Sequence, residues 1–128
     1  MKNLKICLVD DDNDDRELFQ DAFSELNPET DLMVFKDGLE VIDYLNSIEE
    51  MPDIIFLDLN MPIMGGLETL KELRKKPEYK YIHVAIYSTS AAGKDIHDCL
   101  IAGANSYVVK HRSFQALKSG IAKVIKMS

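Results

Sequence analysis

Sulfur chemistry is scarce in this chain. Its two cysteines, Cys7 and Cys99, stand far apart, with no CxxC pair and no histidine at ligand spacing. That argues against a zinc site and a disulfide and leaves two free thiols, expected to be buried. A long apolar run is also missing. Residues 1–9 hold too short a stretch for a signal peptide or a membrane span, so the chain is expected in the cytoplasm with no membrane partner. Positive charge is short as well: 15 Lys and Arg against 22 Asp and Glu give a net charge of -7. That balance argues against a nucleic-acid surface. Linkers, repeats and low-complexity segments are absent, and the 128 residues are expected to form one domain over 1–128 with a single core.

What is present is an alternation of short apolar runs with helical periodicity. Residues 53–62, Asp-Ile-Ile-Phe-Leu-Asp-Leu-Asn-Met-Pro, are the centre of it. The apolar run 54–57 suits a strand buried on both faces of a parallel sheet, and it delivers Asp58 into a loop that Pro62 closes. Similar strands are expected over 4–9, 32–35, 84–87 and 106–109. Between them, Leu18/Phe19/Ala22/Phe23/Leu26, Leu39/Ile42/Leu45/Ile48, Leu67/Leu70/Leu73, Ile96/Cys99/Leu100 and Phe114/Leu117/Ile121/Val124 recur at helical spacing. Asp12, Asn13 and Asp14 are placed to cap the first helix and Ser113 the last. Arg74-Lys75-Lys76 is expected to be a solvated helix end that favours the dipole. His83, His97 and His111 share no catalytic spacing and are expected to be surface or packing residues.

Five strand-helix alternations with short connections predict an α/β fold: a doubly wound five-stranded parallel sheet with helices on both faces. In such a sheet every loop that follows a strand lies on one edge. That edge should gather Asp10, Asp11, Asp58, Ser88, Thr89 and Lys110. Two carboxylates about 4 Å apart repel by roughly 4 kcal/mol at an effective dielectric near 20. Three acids in one crevice therefore take up protons or hold a cation, and oxygen-only ligands favour Mg2+. With a lysine and a hydroxyl suited to phosphoryl oxygens, the set points to phosphoryl chemistry with an aspartate nucleophile.

Over essentially its full length the chain resembles the receiver domains of two-component response regulators, the CheY-like family. The resemblance rests on Leu8-Val9-Asp10-Asp11, on Leu57-Asp58-Leu59-Asn60-Met61-Pro62 with Gly65-Gly66, on Ser88, on Ala102-Gly103-Ala104 and on Tyr107-Val108-Val109-Lys110, in that order and spacing. It implies the flavodoxin-like strand order 2-1-3-4-5 and a phosphoryl group accepted on Asp58 from a sensor histidine kinase. It implies Mg2+ held by Asp11, Asp58 and the Asn60 backbone carbonyl, with Asp10 acting largely through a metal-bound water. Ser88 and Tyr107 would be a switch pair, and the fourth helix, fifth strand and fifth helix would carry the signal. The stretch 87–91 and the acid run 10–15 resemble standalone receivers that partner phytochrome-type and other hybrid kinases. The output would then be binding of a downstream protein or phosphotransfer partner, as a monomer or weak homodimer without an output domain.

Two positions depart from the family pattern. His111 follows Lys110 where the family usually has a cis proline, so this bond is either trans or held cis at about 3 kcal/mol. Thr89 stands where a small residue is usual and would narrow access to the site. Two other functions compete. A receiver-fold scaffold could bind its partner without phosphorylation. The Asp-x-Asp in Val9-Asp10-Asp11-Asp12 is similar to that of haloacid-dehalogenase phosphatases, but Asp58 precedes Ser88 here, and Asn60 cannot serve as a general acid or base. No enzymatic turnover is expected beyond the chain's own phosphorylation and slow dephosphorylation.

Overall fold

Apolar residues at every position of a strand leave no face for water, so the strands pair with one another and bury both faces beneath helices. The structure, a computed structural model that describes residues 4–110 and 113–127, builds β1 (Ile6–Val9), α1 (Asn13–Leu26), β2 (Leu32–Phe35), α2 (Gly38–Ser47) and β3 (Ile54–Asp58). The chain continues through α3 (Gly66–Lys75), a 3-10 turn (Pro77–Tyr79), β4 (His83–Ser88), α4 (Gly93–Ile101), β5 (Ser106–Val109) and α5 (Phe114–Met127). All strand pairs are parallel, in the order β2-β1-β3-β4-β5, as the sequence predicts.

Alternate residues of each strand point to opposite faces. Cys7, Val9, Ile55 and Leu57 face a cluster with Val41, Leu45, Leu70, Leu73 and Cys99 of α2, α3 and α4. Ile6, Leu8, Ile54 and Phe56 face the other cluster, with Phe19 and Phe23 of α1 and Leu117, Ile121 and Val124 of α5. Phe19 lies edge-on to both Phe56 and Tyr87, at centroid distances of 4.9 and 5.4 Å. Both cysteines are free and buried, and burial pushes the Cys7 thiol up to about 12.

Caps follow from the polar residues at the helix starts. The Asp12 side chain accepts the Asp15 N-H, the Asp37 side chain accepts the Glu40 N-H, and the Ser113 hydroxyl accepts the Ala116 N-H. No described helix is long and apolar enough to cross a membrane.

Three expectations fail. Arg74 is not a solvated helix end. It reaches under the sheet and donates to the carbonyls of Gly103, Tyr79 and Ile82 and to the Asn105 side chain, at 2.8–3.0 Å. These carbonyls lie where regular structure ends and need a donor. Leu39 is exposed because α2 turns Gly38, Val41 and Leu45 toward the sheet, leaving Leu39 on the wet side. Leu100 is likewise exposed, and Cys99 alone fills the buried position of α4.

Candidate functional site

Side by side in register, β1 and β3 bring Val9 opposite Leu57, so the residues that follow them meet at the carboxyl edge of the sheet. Asp10 is fully buried there and Asp58, the last residue of β3, is nearly so. Asp10 is fixed from several sides. Its N-H donates to the Phe35 carbonyl, its Oδ1 accepts the Asp12 N-H, and its own carbonyl accepts Arg16 Nη1 at 2.7 Å. Asp11 stays exposed at the rim, yet carboxylate oxygens of Asp10, Asp11 and Asp58 all lie within 4.8 Å of one another.

The loop after Asp58 is shaped for close approach. The Asn60 N-H donates to Asp58 Oδ1, and Gly66 N-H donates to the Leu59 carbonyl. A Cβ on Gly66 would sit 2.2 Å from the Asp58 carbonyl oxygen, so only glycine lets α3 start against this strand end. Ile63 in the same loop has φ +69° and is exposed.

Lys110 closes the cluster from β5. Its N-H donates to the Ser88 carbonyl at 2.6 Å, holding the ends of β4 and β5 together. Its ammonium stands 2.8 Å from Asp15 Oδ2, 3.1 Å from Asp10 Oδ2 and 3.4 Å from Asp58 Oδ1, and 4.7 Å from the Tyr87 ring centre. Burial works against this ammonium, but Asp15, Asp58 and Asp10 together outweigh it and hold its pKa well above the ordinary lysine value. Burial, then the Asp10 charge, push Asp58 up to about 7, with Lys110 and the Asn60 N-H only partly offsetting them. One cation does not neutralise this many acids. A hard divalent ion fits the all-oxygen set formed by Asp10, Asp11 and Asp58.

The hydroxyls line the same edge. Ser88 is fully buried and its Oγ accepts the Ser90 N-H at 3.1 Å. Tyr107 is half-buried, and its hydroxyl donates to the Ser90 carbonyl at 2.8 Å. Ser90 in turn donates from Oγ to Asp95 in the first turn of α4, at 2.5 Å. Ser90 thus joins Ser88, Tyr107 and α4. Thr89 is exposed at the rim. The Lys110–His111 bond and His111 lie outside the described residues; among the described residues no peptide bond is cis. His83 packs against the Ser106 hydroxyl at 2.7 Å and His97 is exposed, both away from the acids.

The structure thus brings together Asp10, Asp11, Asp58 and Lys110 as expected from the sequence. It adds Asp15, Arg16 and Tyr87, which sequence reasoning passed over. The missed signal for Asp15 and Arg16 was their position one helical turn before the core residue Phe19, on the side of α1 that turns toward the sheet.

The response regulator receiver domain family matches residues 6–122 of the chain. A chemotaxis protein CheY homolog of Campylobacter jejuni is 29% identical over 122 residues, covering 95% of this chain and 92% of its own. Response regulator Rcp1 of Synechocystis sp. is 31% identical over 117 residues, covering 88% and 80%. A crystal structure of the Mn2+-bound form of Rcp1 matches with a TM-score of 0.80 at 27% identity, over 94% of this chain and 91% of that one. The phosphorylated cyanobacterial phytochrome response regulator RcpA matches with a TM-score of 0.85 at 32% identity, over 98% of this chain and 92% of that one. The sheet order, the acids at its carboxyl edge and this matched span lead to one conclusion: the chain belongs to the response regulator receiver domains, the CheY-like family of two-component signal transduction.

Proposed function

We propose that the chain is a phosphorylation-controlled switch whose acceptor is Asp58. The observation that carries this reading is the convergence of the Asp10, Asp11 and Asp58 carboxylates with the Lys110 ammonium at one sheet edge. The donor is a phosphohistidine of a sensor kinase. A carboxylate oxygen of Asp58 attacks phosphorus; the O–P bond forms as the P–N bond breaks, and the electron pair stays on the imidazole nitrogen, which takes up a proton from solvent.

Asp10, Asp11, Asp58 and the Asn60 carbonyl would hold Mg2+, which when bound offsets phosphoryl charge and keeps Asp58 ionised. The chain's own groups do the rest. The near-complete burial of Asp58 keeps bulk water from the acceptor and its product. Lys110 donates to a phosphoryl oxygen, and Ser88 donates to another once its hydroxyl turns from the Ser90 N-H. That turn loosens the loop whose carbonyl holds Tyr107, and through Ser90 it reaches Asp95 of α4. The output surface is α4, β5 and α5, where a groove of about 570 Å³ runs between β5 and α5, lined by Val109, Ala116, Gly120 and Lys123. A phytochrome-type kinase is the preferred donor class, since RcpA serves as a phytochrome response regulator.

The test is intact mass of wild type and Asp58→Asn after incubation with acetyl phosphate and Mg2+, repeated with EDTA. One phosphoryl adduct that needs both Asp58 and the metal is the expected result. A wild type without an adduct, or an adduct that survives in Asp58→Asn, sinks the reading.

A further inference from the structure

We infer that Asp15 is a positioning residue for Lys110: it anchors the ammonium beside Asp58 so that one N-H stays uncommitted for the phosphoryl group carried there. The inference rests on the phosphoacceptor reading above and assigns a role in it to a residue outside the acid cluster.

Asp15 sits in the first turn of α1 among acids that otherwise face water. Asp11, Asp12, Asn13 and Asp14 are exposed, whereas Asp15 is half-buried and turned toward the sheet edge. Its contact to the ammonium, at 2.8 Å, is the shortest of the three that Lys110 makes with carboxylates. A helix-dipole role alone would not need that contact, because Asp12 and Asp14 already place charge at the start of α1. The backbone of Asp15 is itself fixed, its N-H donating to the Asp12 cap at 3.0 Å.

The geometry of the donors makes the contact useful. An ammonium has three N-H donors, and here three carboxylates stand around it. Two donors are held by Asp10 and Asp15, which leaves the third uncommitted with Asp58 Oδ1 standing 3.4 Å from the nitrogen as an ion pair. The long lysine stem carries about 2 kcal/mol of rotamer entropy, so a single anchor would leave its head free to wander. Asp10 cannot be the sole anchor, because its carboxylate is also one of the three oxygens clustered for a cation. Asp15 lies outside that cluster and stays available to Lys110 with the cation bound or absent.

The experiment compares wild type, Asp15→Asn and Asp15→Ala. It reads the initial rate of adduct formation from acetyl phosphate at saturating Mg2+ by intact mass, and the Mg2+ Kd by titration calorimetry. Asparagine keeps an acceptor oxygen for Lys110 and removes the charge; alanine removes both. Asp15→Ala should form the adduct about tenfold more slowly, Asp15→Asn within about twofold of wild type, with Mg2+ Kd changed alike in the two. Should Asp15→Ala fail to fold, as circular dichroism would show, Asp15→Ser replaces it, too short to reach the ammonium. An Asp15→Ala rate equal to or above wild type overturns the inference. So does an equal slowing of Asp15→Asn and Asp15→Ala, which would assign the effect to charge alone. If wild type forms the adduct and Asp15→Ala is unimpaired, only this inference falls; if wild type forms none, the phosphoacceptor reading falls with it.

Discussion

Two cations are held at opposite edges of the same sheet, and their surroundings differ in kind. Arg74 at the amino edge donates to three backbone carbonyls and one amide oxygen, all neutral, and every one belongs to a chain segment that must stay put. Lys110 at the carboxyl edge faces three carboxylates. A neutral cage is satisfied once and for all, and it fastens the end of α3 to the 3-10 turn and to the α4–β5 connection. An ionised cage has oxygens that can change partner when a metal or a phosphoryl group arrives. The lesson is that burial of a cation does not by itself mark a working site. The charge state of its acceptors does.

Removing each cation should therefore have opposite signatures. Arg74→Ala takes the donor from the Gly103 and Ile82 carbonyls, while the Tyr79 carbonyl keeps the Ile82 N-H and the Asn105 side chain keeps the Val84 N-H. The substitution should cost about 3–4 kcal/mol in urea unfolding, with no recovery on adding Mg2+. Arg74→Lys should recover less than half, since one ammonium cannot reproduce the planar fork. Lys110→Met leaves buried carboxylates uncompensated and should cost about 3 kcal/mol, but most of that loss should return with Mg2+, which replaces the missing positive charge. Equal Mg2+ rescue of both would erase the distinction between the two edges.

An effect of similar size is a pH dependence confined to the carboxyl edge. Asp58 is raised from 3.8 to about 7 in the folded chain, chiefly by burial and then by Asp10. Below about pH 4 both states carry the proton and the group costs nothing. Between pH 4 and 7 the unfolded state releases the proton while the folded state keeps it, so stability falls as pH rises and levels off above 7. The loss should be on the order of 4 kcal/mol without metal. Thermal melts from pH 4 to 8 should show this slope for wild type, a flatter one for Asp58→Asn, and little slope with Mg2+ present. A slope unchanged by Asp58→Asn would mean that another group at this edge sets it.

The same contrast explains which parts were legible in the sequence. The strand at Ile54 to Leu57, Asp58 after it, and the acids after Val9 were plain, because an apolar run that ends in a charge has few meanings. Arg74 was not, because in Arg74-Lys75-Lys76 nothing distinguishes the residue that turns under the sheet from the two beside it. Only the fold shows that Gly103, Ile82 and Tyr79 end within its reach. Asp15 was hidden in the opposite way, one acid in a run of similar ones whose contact depends on how α1 rotates onto the sheet. Leu39 and Leu100 fell to the same cause. Helical spacing names a stripe, but the neighbouring elements decide where its centre lies.

The smallest expected effects concern backbone strain, which also separates the two edges. Among the described residues positive φ occurs at Ile63, in the loop after Asp58, and at Gly103, beneath Arg74. Gly103 is the relaxed case: glycine adopts φ +109° freely, and a Cβ there would meet Arg74 Cγ at 2.9 Å. Gly103→Ala should therefore destabilise by about 2 kcal/mol by loading strain onto the clamp. Ile63 is the strained case, a β-branched residue held at φ +69° while 81% exposed, where its side chain gains little from packing. Ile63→Asn, which tolerates this conformation, should stabilise by about 1 kcal/mol in urea unfolding. If the strain serves the acid edge, by holding the Asn60 backbone near Asp58, the same substitution should weaken Mg2+ binding in calorimetry even as it raises stability. A stabilised variant with unchanged Mg2+ affinity would make the strain a local property of the loop, and the functional contrast between the edges would then rest on charge alone.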